Sequence, residues 1–197
     1  MKKYILTMCM LIASFVFSAT ATAITVDFDS ATVADTADGY VDQGVAFNYS
    51  GTGTNYFSEF GPVLPSPSGS NALTMTGGDN NSFWTASFAG LANSISVDLG
   101  DNAADADRVF LSIFDSADNL ISTVTQDLAS SFVGMVTLSL VGSNIAYATF
   151  GTTGDLGLGG IYADNFTVSA VPVPAAAWLF GSALLGFFGF SRRKNLA

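Results

Sequence analysis

Apolar and polar residues alternate with a period of two through most of the chain between residues 24 and 170, the pattern of strands with one buried face. Ile24, Val26 and Phe28 alternate with Thr25 and Asp27, and Val45, Phe47 and Tyr49 repeat the rhythm. Segments 72–76 and 83–88 continue it. In 94–99, Ile95, Val97 and Leu99 point one way while Ser96 and Asp98 point the other. The run 108–114 is apolar in both phases, Val109, Leu111 and Ile113 on one side and Phe110 and Phe114 on the other, as in a central sandwich strand. Asp115, Ser116, Ala117, Asp118 and Asn119 are turn residues ahead of 120–125, which predicts a hairpin. Segments 135–140, 145–150 and 161–168 bring the total to about ten strands. Gly39-Tyr40, a loop holding Pro62, Pro65 and Pro67, and Gly77-Gly78-Asp79-Asn80 punctuate the series. No helical period is sustained. The pattern predicts an all-β fold, an antiparallel β-sandwich of jelly-roll-like type.

Both ends break this rhythm. Lys2 and Lys3 precede an uncharged apolar run, 5–17, and Ala21-Thr22-Ala23 offers the small residues that signal peptidase requires. Residues 1–23 are therefore expected to be a cleaved signal peptide. At the other end, Val171-Pro172-Val173-Pro174 introduces an apolar segment, 175–191, that has Trp178 near its start and Arg192, Arg193 and Lys194 behind it. Its apolar stretch 175–190 would measure about 24 Å as a helix at 1.5 Å per residue. That is short of a ~30 Å hydrocarbon core. The basic cluster 192–194 would stay on the cytoplasmic side and place residues 24–170 outside. A marginal span suits a segment meant for removal.

Charge narrows the chemistry of the domain at 24–170. All 16 acidic residues fall there against one cation, Arg108, for a net charge of −15. The chain has no histidine, and its single cysteine, Cys9, would leave with the signal peptide. Ser-His and Cys-His nucleophiles and the usual zinc ligands are thereby excluded. Glu59 is the sole glutamate and has no evident carboxylate partner, so the domain is read as non-enzymatic. Nucleic acid would be repelled.

No motif demands a cofactor, but calcium is one that the acidic composition admits. In 161–168, Asp164 shares its alternation phase with Tyr162, Phe166 and Val168. An inward carboxylate there needs a partner. Asp27 and Asp29 become co-ligands if the first and last strands are neighbours. The competing reading is a bulge at Asp164-Asn165 that turns the side chain to solvent, or backbone N–H groups that satisfy the carboxylate. A second group, Asp98, Asp101, Asp105 and Asp107, lacks the glycine and distal glutamate of a helix-loop-helix calcium loop. A solvated loop is favoured there, with Arg108 neutralising a neighbour. Tyr49, Tyr56 and Trp84, with Phe57, could stack sugars on one surface, although a sandwich core also consumes aromatic residues.

Pro-x-Pro, a short apolar helix with Trp178, interspersed glycines and an Arg-rich end together resemble the PEP-CTERM sorting signal. The run VPVPAAAWLFGSALLG is similar to its VPxPAAAWL variant, with Val173 where the middle glutamate usually stands. The resemblance covers 171–194 and implies an exosortase substrate of an exopolysaccharide-producing bacterium. Such a protein would pass transiently through the inner membrane, be cut near Pro172–Pro174, and reach the cell surface or extracellular matrix. Its sorting residues would be Val171, Pro172, Val173, Pro174, Trp178, Arg192, Arg193 and Lys194. The stretches ITVDFDS, SISVDLGD, RVFLSIFDSADNLI and IYADNFTV also resemble β-sandwich domains carried by such proteins. Exopolysaccharide is the partner this implies. A calcium-dependent carbohydrate-binding module and a permanently anchored single-span protein remain as alternatives.

Overall fold

A computed structural model describes residues 22–59, 71–76, 82–102, 105–154 and 160–170. The signal segment and the sorting tail lie outside the described residues, and so do the proline loop and the Gly77–Asn80 turn. Among the described residues no helix is long and apolar enough to cross a membrane. Ala23–Val171 forms one compact unit.

Among the described residues ten strands follow one another: β1 (Ala23–Val26), β2 (Tyr40–Asp42), β3 (Val45–Ser50), β4 (Thr54–Glu59), β5 (Asn71–Thr76), β6 (Phe83–Asn102), β7 (Asp107–Phe114), β8 (Leu120–Leu128), β9 (Val133–Thr152) and β10 (Ile161–Ala170). Every pairing is antiparallel. β6 and β9 are each 20 residues long and pair along their whole lengths, from Phe83↔Gly151 to Asn102↔Val133. The register shifts between Ser87 and Ser94. On one side of that break β3 joins β6 and carries β2, while β7 joins β9 and carries β8. Beyond it β10 joins β6, and β10 carries β1 and the β5–β4 pair along its other edge. The continuous ladder thus forms two layers.

Aromatic residues close the layers on each other. Phe47 and Phe150 of the first layer meet Phe166 of the second, each with ring centroids 5.4 Å apart. Trp84 packs 5.6 Å from Phe150, and Phe28 packs 5.1 Å from Phe47. All five side chains are fully buried. This is the face-to-face packing of a β-sandwich. Inward positions follow the alternation: Val109, Leu111 and Ile113 in β7, and Ile95, Val97 and Leu99 in β6, are all buried.

The two long strands differ from expectation. Segments 83–88 and 94–99, predicted as separate strands, are both within β6, and 135–140 and 145–150 are both within β9. The inward phase of β6 changes from even residues (Trp84, Ala86) to odd ones (Ile95, Val97, Leu99) across the irregularity. A bulge that inverts the pleat resembles a turn in sequence. The predicted hairpin forms between β7 and β8. Asp115 closes it, its Oδ1 accepting the amides of Ala117 at 2.8 Å and Asn119 at 3.0 Å.

The interlayer ring cluster should dominate stability. Phe166→Ala is expected to cost about 3–5 kcal/mol, measured by urea unfolding. Thr167→Ala, on the opposite phase, should cost much less.

Candidate functional site

Three carboxylates converge where β6 ends and β7 begins. Asp101 lies on the phase of Leu99, the inward face of the second layer, and Asp107 on that of Val109, the inward face of the first. Asp105 lies in the connection between them. Each offers an oxygen within 4.8 Å of the others. Asp101 and Asp107 are buried, at 1% and 0% exposure, and Asp105 is half-buried. Among the described residues neither oxygen of Asp107 has a hydrogen-bond partner. Burial pushes the Asp107 carboxyl up to about 7, and repulsion from Asp101 and then Asp105 adds to the rise. The expectation of a solvated acidic loop is therefore corrected. Inward alternation at two strand ends takes these carboxylates out of water.

Asp98 does not join them. It is on the outward phase of β6, where its Oδ1 accepts the Thr137 hydroxyl at 2.5 Å and its Oδ2 accepts the Asn165 amide at 2.9 Å. Arg108 is also directed outward and is bidentate to Asp127 across the β7–β8 pair, Nε at 2.5 Å and Nη2 at 3.0 Å. It does neutralise a neighbour, but in the hairpin and not in the acidic group.

The first-choice calcium residues are placed differently. β1 and β10 are neighbours, as that reading required. A bulge between Asp164 and Thr167, with Asn165 at φ 48°, then breaks the assumed phase. Phe166 and Val168 point inward with Ile161 and Ala163, while Asp164 pairs with Asp98 on the other side. Asp164 is buried and its Oδ1 accepts the Asn165 amide at 2.7 Å. Asp29 Oδ1 accepts the Asn71 amide at 3.0 Å, and Asp27 Oδ1 accepts the Asp29 amide at 3.3 Å. Among the described residues, the carboxylates that converge as a shared ion requires are Asp101, Asp105 and Asp107.

The proposed sugar platform is also rearranged. Trp84 is fully buried and cannot stack on a ligand. Tyr49 packs 6.0 Å from it in the first layer, and half-buried Tyr56 is in β4 of the second. Other aromatic residues reach the outer face of the first layer. Phe83 and Phe110 flank Gly151 with their rings 6.4 Å apart, and Phe114 stacks on Tyr147 at 4.8 Å and 4°. All four are half-buried. Ser112, Thr123 and Thr149 lie between the two pairs, with the Ser112 and Thr123 hydroxyls 2.8 Å apart. A Cβ at Gly151 would collide with the backbone at Ser82 and Phe83, so only glycine fits between the first two rings. The phase of Phe110 and Phe114, opposite Val109 and Leu111, is the sequence signal for this face, but a central strand buried on both sides carries the same signal.

No family model matches the chain, and no curated protein matches it. Solved structures do share its fold. The K2 cleaved adhesin domain of Lys-gingipain aligns at TM-score 0.50 and 11% identity, covering 75% of this chain and 99% of that one. The K1 cleaved adhesin domain of Lys-gingipain from Porphyromonas gingivalis W83 aligns at TM-score 0.52 and 8% identity, over 76% and 99%. The arabinose-bound MgGH51 α-L-arabinofuranosidase aligns at TM-score 0.52 and 9% identity, over 80% of this chain but 27% of that one. These similarities show a common fold.

The acidic group makes stability depend on pH. A carboxyl whose pKa is raised on folding binds its proton more tightly in the native state, so its contribution falls as pH rises from about 4 to about 7 and is flat above. In chelator, urea unfolding across that window should show a decline of a few kcal/mol, because each tenfold gain in proton affinity on folding is worth about 1.4 kcal/mol. Asp107→Asn should remove most of that decline.

Proposed function

We propose that this chain is an exported, non-enzymatic surface or matrix protein whose jelly-roll-like sandwich binds polysaccharide. The observation that carries this reading is the outer face of the first layer, with the ring pairs Phe83–Phe110 and Phe114–Tyr147 on either side of a row of hydroxyls. The outer face of an antiparallel sheet is ordinarily polar. Sugar rings present apolar C–H faces that stack on aromatic rings, and hydroxyls that bond to serine and threonine. The two ring pairs are four residues apart along β7, about 14 Å at 3.4 Å per residue. That separation suits a chain of sugars better than a single ring. A net charge of −15 repels polyanions, so the ligand is a neutral glycan.

Non-enzymatic action is supported by the absence of histidine, and by Glu59, the one glutamate, being exposed at the end of β4. Occurrence of the same fold in adhesin domains supports a surface role. Delivery rests on the two end segments: a signal peptide removed after Ala23 and a PEP-CTERM-like tail read by an exosortase. The second reading, permanent anchoring through 175–191, rests on the apolar character of the same tail.

Two measurements test this. Affinity electrophoresis in neutral bacterial polysaccharide should show retardation that Phe110→Ala or Tyr147→Ala each weakens about tenfold, roughly 1.4 kcal/mol. Wild-type retardation that both variants retain in full would refute the binding face. Mass spectrometry of released protein should detect neither 1–23 nor the residues after about Pro174. An intact tail in the inner membrane at steady state would favour the anchor.

A further inference from the structure

We propose that Asp101, Asp105 and Asp107 hold one calcium ion at the end of the space between the two layers, where it ties β6 to β7. The site is independent of the glycan-binding face.

The argument begins with Asp107. Its side chain is fully buried, and among the described residues neither carboxylate oxygen accepts a hydrogen bond. A buried ionised carboxylate without a partner is among the costliest arrangements a fold can contain. Protonation of Asp107 alone would still leave Asp101 and Asp105 as two carboxylates converging on the same place. Nor can protein cations resolve it. Arg108 is the only lysine or arginine between residues 24 and 170, and its guanidinium is directed outward, bonded through Nε and Nη2 to Asp127. What does face Asp107 is further negative charge, an oxygen from each of Asp101 and Asp105 within 4.8 Å. A bound cation would supply the counter-charge that three carboxylates converging in this way call for.

The donor set selects the ion. The group contains only carboxylate oxygens, with neither imidazole nor thiolate, which disfavours zinc and copper and favours a hard cation. The oxygen separation agrees, because an ion at about 2.4 Å from each ligand touches oxygens up to about 4.8 Å apart. Calcium is favoured over magnesium on hydration. Magnesium gives up its waters reluctantly and demands near-octahedral geometry, whereas calcium accepts irregular sets of six to eight oxygens. A site whose two flanking carboxylates are buried has little room for a shell of retained waters. Backbone carbonyls and water would complete the sphere.

The placement gives the ion a structural task. Asp101 is the last inward residue of β6 and Asp107 the first of β7, and the two strands are separated in the sheet by β9. With no cysteine after the signal segment, an ion is the remaining cross-link between them.

The test uses the full chain in mild detergent, after removal of metals by chelation. Isothermal titration with calcium chloride should give one site of about 10⁻⁴–10⁻³ M or tighter, the range of extracellular modules. Saturating calcium should raise the melting temperature by about 5–10 °C, and equimolar magnesium by much less. Asp107→Asn removes repulsion, so the metal-free variant should melt no lower than metal-free wild type, yet calcium should no longer stabilise it. That pattern separates loss of a ligand from failure to fold. Absence of saturable calcium binding to wild type, or an equal rise in melting temperature in Asp107→Asn, would overturn the site. Neither result depends on glycan binding, which is read separately by the Phe110→Ala and Tyr147→Ala variants.

Discussion

The pairing of β6 with β9 is the constraint on which the other strands depend. A ladder of 20-residue strands that belongs to both layers must bend between them, and each half must present apolar side chains to the opposite layer. The bulged region between Ser87 and Ser94 meets both demands, because it turns the ladder and inverts the phase of β6. All other strands then add to edges that this pair defines. Close approach is the consequence: a Cβ at Gly100 would run into the Gly134 carbonyl across the pair. The interlayer rings lock the bend. Phe28 keeps a left-handed backbone, φ 58°, that an aromatic residue seldom adopts, held by packing on Tyr40, Phe47 and Phe57.

An acidic domain with one cation has to satisfy its buried carboxylates by other means, and one solution is visible. On the outward side of the second layer, the bulge in β10 brings Asn165 to both acids, its side chain bonding Asp98 and its backbone bonding Asp164. Neutral donors there do the work of a counter-charge at about 1.5–3 kcal/mol per charged bond. At the end of the interlayer space no such donor among the described residues reaches Asp107. The contrast is what makes the second group unusual: Asp98 and Asp164 are buried with donors, whereas Asp107 is buried facing other acids.

Much of the fold was legible because alternation reports which face is buried. Ile95, Val97 and Leu99, and Val109, Leu111 and Ile113, are placed correctly by phase alone. β4 escapes such a reading because Thr54–Glu59 buries only Phe57 and so has almost no apolar rhythm. Asp164 is misplaced by one extra residue, since a bulge changes the parity of everything after it without leaving a compositional mark. The site suffers more than the fold. Trp84 is core and Phe110 is surface, yet both follow alternating patterns, and only the arrangement of layers decides which phase is inside. Asp107 is easily discounted because a run of aspartates next to a strand usually marks a solvated loop. Its inward phase with Val109 is the available signal.

β7 connects the two candidate sites and limits how they can influence each other. Asp107, Val109, Leu111 and Ile113 face the core, while Arg108, Phe110, Ser112 and Phe114 face outward. A cation at Asp107 and a glycan on Phe110 would therefore lie on opposite faces of one strand, and the ion could not bridge to the sugar. Any dependence of glycan binding on calcium has to pass through the order of β7 itself. An ion that fixes the start of this strand fixes the pairing of Phe110 with Gly151 and Thr125, and so the spacing of the outer rings. Such coupling acts through stability. It should therefore be strong where the sandwich is close to unfolding and weak where it is firmly folded, whereas an ion in direct contact with sugar would be needed under all conditions.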